Sequence, residues 1–220
     1  MVLVPSGSHA AFGPGLVARD RLVRRLMDAR DVPLALLAAP AGYGKTTTLL
    51  EWAQRDERPF AWIALDRAAD DPGQLLAAVA SATGPLTRRG SAFVLVLDDL
   101  HFLRSPAAIN ALKAIVARPP AGAQVVLASR SEPPFPLGRL RAHREVLELA
   151  PRDFVMTRGE AGALLKLAGI ELSATEVDAL MQRTEGWPAG LYLAAGAFDR
   201  ADVAISSQPL TFSGRSYCEI

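Results

Sequence analysis

"LLAAPAGYGKTTTLLEW", residues 37–53, decides how the rest of the chain is read. An apolar run enters a turn that holds Gly42 and Gly44, and a stretch with helical spacing leaves it. The turn approaches the phosphate-binding pattern G-x-x-x-x-G-K-[ST]. Gly44, Lys45 and Thr46 match that pattern, and Ala39 stands where its first glycine belongs. Ala39 ends the strand just before Pro40 and need not itself approach a phosphate. Backbone N–H groups in such a loop converge into an anion site, and the next helix adds the partial positive charge of its N-terminus. In this reading Pro40, Ala41, Gly42, Tyr43 and Gly44 form the cradle. Lys45 reaches the β- and γ-phosphates, the Thr46 hydroxyl ligates Mg2+, and Thr47 adds a phosphate hydrogen bond. The plain alternative is an ordinary strand-to-helix turn.

A second motif stands about fifty residues on, in "VLVLDDLH", residues 94–101. Four apolar residues lead into Asp98 and Asp99 at a strand end. A phosphate-bound Mg2+ needs a carboxylate at the tip of a neighbouring strand, usually through water. Asp98 is assigned to that metal, and Asp99 to orienting or activating the attacking water. The alternative is two aspartates capping the next helix. His101 either packs, caps or touches the nucleotide; spacing alone leaves the three open. Arg130 ends "VVLASR", at the strand edge where ligands sit in open parallel sheets. A guanidinium there could sense a γ-phosphate, or be a surface arginine.

Around these motifs the pattern alternates. Strands are expected over 32–39, 60–65, 92–99, 123–130 and 144–149. Helices are expected over 45–55, 71–83 and 105–118, the last two opened by Asp71-Pro72 and Ser105-Pro106 as cap and first-turn proline. Apolar strands alternating with helices imply a parallel sheet covered on both faces. After about residue 150 the strands stop. Helices are expected over 157–169, 173–186 and 188–198, with capping-box spacing at Thr157/Glu160 and Ser173/Glu176. Gly169 and Gly186 read as C-terminal stops. The expected organisation is an extended start (1–15), an α/β domain (16–150), a helical subdomain (151–200) and an irregular, truncated tail (201–220).

Bulk properties agree with a globular chain. It has 220 residues, half of them apolar, and a net charge of +1, so no strong field recruits nucleic acid or membrane. Lys45 is one of three lysines among many arginines. The single cysteine, Cys218, excludes an internal disulfide framework and suits a reducing compartment. No signal peptide or membrane span is legible, so a cytoplasmic location is expected. The opening "LVPSGSHA" (3–10) has the look of an expression-tag scar or of a natural extended start, and is set aside for the fold. There is no G-x-S-x-G, H-E-x-x-H or paired C-x-x-C. The basic "GRLRAHRE" (138–145) reads as a solvated helix face.

Taken together, "APAGYGKTT", "FAWIALDRAADDP", "LVLDDLH", "ASRSEPPFPLGRLRA" and "EGWPAGLYLAA" resemble the ATPase module of the MalT-type large LuxR-family regulators. Those regulators belong to the STAND class of signal-transduction P-loop ATPases. The likeness runs from about residue 16 to 198 and rests on separated motifs in the right order. It implies a five-stranded P-loop NTPase sheet in the order 5-1-4-3-2, followed by a small helical part. "LVARD" (16–20) resembles the class's N-terminal motif, with Ala18 in place of its glycine, and would set Val17 and Arg19 beside adenine. "GWP" (186–188) resembles its G-x-P motif, in which Pro188 packs on adenine. Arg130 matches the class's sensor arginine.

The resemblance further implies a switch: ADP holds a closed state, ATP with Mg2+ favours an open state that self-associates, and hydrolysis resets it. Such regulators usually continue into a winged helix, a repeat-built sensor and a DNA-binding helix-turn-helix. DNA binding is therefore expected only through a C-terminal domain absent from this chain. "FSGRSYCEI" (212–220) reads as a cut-short continuation. Two other readings stay open: a nucleotide-binding remnant without turnover, and an AAA+-like or kinase-type P-loop enzyme. The "EGWPAG" segment (185–190) favours the switch class.

Overall fold

A computed structural model describes residues 17–198. Leu16, the stretch 1–15 and the tail 199–220, with Cys218, lie outside the described residues. In chain order the elements are α1 (Asp20–Asp28), β1 (Leu34–Ala38), α2 (Lys45–Arg55), β2 (Phe60–Ala64), α3 (Pro72–Arg89), β3 (Phe93–Asp98), α4 (Pro106–Ala117), β4 (Ala123–Ser129), α5 (Gly138–Ala142), β5 (Val146–Leu149), α6 (Pro151–Phe154), α7 (Arg158–Leu167), α8 (Ala174–Thr184) and α9 (Pro188–Phe198). Short 3-10 turns lie at Arg67–Asp70 and Leu100–Phe102.

The five strands form one parallel sheet in the order β2-β3-β4-β1-β5, the expected 5-1-4-3-2 read from the other edge. Strand side chains alternate between faces, and here both faces are apolar. Leu34, Leu36, Phe93, Leu95, Leu97, Val125 and Leu127 meet α3 and α4 through Leu75, Val79, Leu112 and Ile115. Ala35, Leu37, Val94, Val96, Val126 and Ala128 meet α1 and α2 through Leu22, Leu26, Leu49 and Trp52. Covering both faces is what lets the strands read as continuous apolar runs. Trp52 packs edge-on to Phe60 at 5.1 Å between ring centres. It is fully buried in the second half of the helix that follows the glycine loop.

Among the local outcomes that differ from the sequence expectation, besides the short α6, three bear on the architecture. First, α1 was not anticipated. Its apolar residues Leu22, Val23 and Leu26 are buried on one side, with Asp20, Arg24 and Asp28 between and around them. Second, α3 continues six residues past its expected end at Thr83, through Pro85, to Arg89. A mid-helix proline removes one backbone hydrogen bond and costs roughly 3 kcal/mol. Leu75, Val79, Thr83 and Leu86 nevertheless keep one buried face going. Gly90, at φ 69°, then ends the helix in the left-handed conformation that suits glycine. Third, β5 begins at Val146 rather than 144, because Arg144 sits at φ 57°, outside extended geometry.

The described chain divides into two compact units, up to Val155 and from Met156. The second is helical: α7, α8 and α9 bury Ala161, Leu165, Val177, Leu180 and Leu191. Both expected capping boxes form, Thr157 with Glu160 and Ser173 with Glu176. No helix among the described residues is long and apolar enough to cross a membrane.

Candidate functional site

The glycine turn runs from the end of β1 into α2. Gly42 lies at φ 76° and Gly44 at φ 80°, both left-handed. A Cβ placed on Gly44 would meet nothing within 4 Å. Backbone conformation, and not crowding by the protein, is what asks for glycine there. Gly44 is the N-cap of α2 and makes no side-chain cap, so no side chain covers the helix's leading N–H groups from that position. Pro40, Ala41 and Gly42 are exposed, while Tyr43 is half-buried against the α1–α2 face of the core. An exposed left-handed glycine turn leading into a helix N-terminus is a backbone arrangement that can receive an anion.

Thr46, in the first turn of α2, donates from Oγ1 to Asp98 Oδ2 at 2.8 Å. Asp98 ends β3, two strands from β1 with β4 between them. Its other oxygen, Oδ1, accepts the Asp99 N–H at 2.9 Å. Asp98 is 3% exposed. Burial pushes its carboxyl above the usual carboxylate range, with the Asp99 charge adding to the rise and the Thr46 hydrogen bond and Lys45 opposing it. An exposed hydroxyl paired with a buried carboxylate at the mouth of a glycine loop is a donor set suited to Mg2+, the hydroxyl directly and the carboxylate through water. Thr47 is half-buried beside Thr46 on α2, and Thr48 turns inward to donate to the Gly44 carbonyl at 2.9 Å.

The Lys45 ammonium folds back on the loop, donating to the carbonyls of Ala39 at 2.6 Å and Pro40 at 3.0 Å. Burial lowers its pKa most; Asp98 and Asp99 counter that, and Arg130 adds to the lowering. Arg130 follows β4 directly and is exposed. The β4 end is tied to the start of the glycine loop, since the Ala39 N–H donates to the Ser129 carbonyl at 3.1 Å. Lys45, Thr46, Asp98, Asp99 and Arg130 thus gather at the C-terminal edge of the sheet, where parallel sheets bind ligands. Asp99 takes φ 60°, and His101 Nδ1 stands 3.5 Å from its Oδ1.

The N-terminal motif is seated next to this loop's helix. The Arg19 N–H donates to Glu51 Oε2 at 2.9 Å, and Glu51 is on α2. The Arg19 side chain is 3% exposed, and its guanidinium donates to the Phe154 carbonyl at 2.6 Å. That side chain therefore fastens the segment before α1 to α6, a structural task that the motif reading did not include. Val17 is half-buried. Pro188 is the first residue of α9, in the second unit.

One residue that sequence reasoning missed supports the site from outside it. Asp70 Oδ1 accepts the N–H groups of both Arg104 and Ser105 at 2.7 Å, and the Ser105 hydroxyl donates to the Asp70 carbonyl at 2.7 Å. This pins the loop after Asp99 at its far end. Asp66 and Asp71, on either side, cap their own turns instead. The acidic run "DRAADD" (66–71) was the visible signal, but nothing in its spacing says which carboxylate reaches across 35 residues.

The chain has relatives among known proteins and fold neighbours among solved structures. The chain is 27% identical to the HTH-type transcriptional regulator MalT of Yersinia enterocolitica over 88% of its length and 25% of that protein's. Against MalT of Klebsiella pneumoniae it is 26% identical over 81% of its length and 23% of that protein's. The chain thus spans about a quarter of the length of the curated relatives it matches. Among solved structures, a Walker-type ATPase of Pyrococcus abyssi superposes with a TM-score of 0.55 at 15% identity, over 86% of this chain and 71% of that one. A STAND protein with a tetratricopeptide repeat sensor from Pyrococcus horikoshii gives 0.53 at 18% identity, over 81% and 29%. No protein-family model matches the chain. Its relatives are MalT-type transcriptional regulators, and its fold is that of the P-loop ATPases.

Proposed function

We propose that this chain is the ATP-binding, slowly hydrolysing switch module of a MalT-type regulator. The observation that carries the reading is the 2.8 Å contact of Thr46 with Asp98, beside a loop whose Gly42 and Gly44 hold positive φ. That contact joins the two groups a Mg·nucleotide needs, from two motifs 52 residues apart. Mg2+ held by Thr46 and, through water, by Asp98 would neutralise charge on the β- and γ-phosphates. The residues of the chain do the rest. Lys45 exchanges the Ala39 and Pro40 carbonyls for phosphate oxygens. Asp99 orients the attacking water, and Arg130 faces the charge that develops on the γ-phosphate. The backbone at Val17 and Arg19 borders the base.

A switch needs contacts that differ between the ADP and ATP states, or no population shift follows. Asp99 and Arg130 meet only the γ-phosphate side and supply that difference. The family likeness gives Pro188, on the helical subdomain, the role of reading the base. ADP then corresponds to a closed resting state and ATP to an open, self-associating one. The relatives' helix-turn-helix, as part of a longer cytoplasmic protein, would convert the switch into DNA binding. The test is titration of Mg·ATP and Mg·ADP against wild type and Lys45→Ala by calorimetry, with the nucleotide content of the purified protein measured alongside. Wild-type binding in the micromolar range that the variant loses supports the reading. Negligible binding by both overturns it.

A further inference from the structure

Resting on that function, we propose that His101 is a positioning residue: its Nδ1–H holds the Asp99 carboxylate in the orientation that aims the attacking water. The Asp99 backbone is already fixed. It stands at φ 60°, ψ 41°, with its N–H given to Asp98 Oδ1 at 2.9 Å. The 3-10 turn after it is closed by the Phe102 N–H to the Asp99 carbonyl at 3.1 Å and the Leu103 N–H to Leu100 at 3.0 Å. The side chain is not fixed in the same way. The Asp99 carboxylate is 48% exposed, and among the described residues its one close polar partner is His101 Nδ1 at 3.5 Å.

His101 has the complementary vacancy. Its Nδ1 is buried and makes no hydrogen bond. A buried polar atom without a partner is uncommon in a folded protein and asks for a reason. The ring stacks on Phe102, with centres 4.4 Å apart and planes tilted by 33°, so its orientation is set by packing. From 3.5 Å, a closure of about half an ångström brings Nδ1 and the carboxylate to an ordinary hydrogen-bond length. Both groups are satisfied by that one movement. Burial and the neighbouring Arg130, Lys45 and Arg104 disfavour an imidazolium, and Asp99 favours it less strongly. The lowered pKa favours the neutral ring, and the closed contact would be a hydrogen bond from Nδ1–H with Nε2 left as an acceptor. A neutral donor steadies Asp99 without cancelling the charge it needs to accept a proton from water.

The test uses the full chain and three variants. Asn places an amide near Nδ1, Gln places one near Nε2, and Phe keeps the ring but no donor. Single-turnover hydrolysis of Mg·ATP should fall on the order of 10- to 100-fold in His101→Phe and His101→Gln, and be largely restored in His101→Asn. Mg·ADP affinity should stay within about twofold in all three. The second readout is the imidazole 15N spectrum of the wild type, free and with Mg·ADP or a non-hydrolysable ATP analogue, assigned by the signal lost in His101→Asn. An Nδ1–H tautomer supports the pairing. An Nε2–H tautomer in every state overturns it, as does wild-type turnover in His101→Phe. If the wild type binds no nucleotide, the switch function fails. The tautomer of the free protein then still decides the His101–Asp99 pairing separately. If nucleotide binds but no form turns over, the same spectra decide.

Discussion

Thr46 Oγ1 and Asp98 Oδ2, 2.8 Å apart, close the gap between the first turn of α2 and the tip of β3. The hydroxyl is one of two hydrogen-bond donors on a carboxylate that is 3% exposed. Thr46→Ala leaves that carboxylate short of a donor and should destabilise the free protein by about 1–3 kcal/mol. It should also abolish the Mg2+ dependence of nucleotide affinity. Thr46→Ser should keep both. Urea unfolding and nucleotide titrations with and without Mg2+ check the pair of outcomes.

Lys45 separates function from stability in the opposite way. Its ammonium is half-buried, with burial lowering its pKa and only backbone carbonyls as hydrogen-bond partners. Lys45→Ala should weaken ATP binding by at least tenfold, a loss of about 1.4 kcal/mol or more. The melting temperature of the free protein should not fall. A clear drop in stability would mean that the lysine is a structural clamp.

Gly44 tests conformation against space. The site has room for a methyl group, but φ is 80°. Gly44→Ala should cost about 1–2 kcal/mol from backbone conformation alone. Gly44→Asn, which tolerates left-handed backbone better, should cost less. Thermal unfolding of the two variants gives the order directly.

Asp56 should shape the acid limb of stability. Its carboxylate is 1% exposed and takes a fork of hydrogen bonds from Arg58, with the Trp52 indole N–H at 3.0 Å. Burial raises its pKa, but the Arg58 contacts and Trp52 together outweigh it, so the native value lies below the ordinary aspartate range. With a depressed native pKa, the stabilisation is present above the unfolded value and disappears as pH falls through the native one. Asp56→Asn should lose about 1–3 kcal/mol at neutral pH and show a flatter decline below about pH 4. Unfolding free energies measured from pH 2 to 7 test both statements.

In the second unit, Gly190 lies under the Trp187 indole. A Cβ there would come within 2.6 Å of Trp187 Cε3. Gly190→Ala should displace the indole and destabilise that unit by about 1–3 kcal/mol. A shift of tryptophan fluorescence at an early, separate unfolding step is the expected sign. Loss of nucleotide affinity by the first unit is not expected from packing alone.

Much of the architecture is legible in the sequence alone. The apolar runs at 34–38, 93–98 and 123–129 have no polar face, which is the mark of strands covered on both sides. Caps at Asp71, Ser105, Thr157 and Ser173 are local side-chain chemistry, and each sits where its spacing put it. The expected end of α3 at Thr83 fell short, because the buried face through Leu86 outweighs the one backbone bond missing at Pro85. α1 was not read from the sequence, because its short apolar stripe needs the α2 side of the sheet before it means anything.

The sequence by itself determined the strand–loop–helix unit at 34–55, the acidic strand end at 98–99 and the identity of the groups gathered there, because those depend on local backbone preference and residue chemistry. Only the tertiary structure decided that Thr46 faces Asp98, that the Arg19 side chain fastens α6, that Asp70 holds the far end of the acidic loop, and that a buried His101 nitrogen faces Asp99. Those contacts join residues brought together by sheet order, packing and burial, and none of these has a period that a one-dimensional pattern can carry.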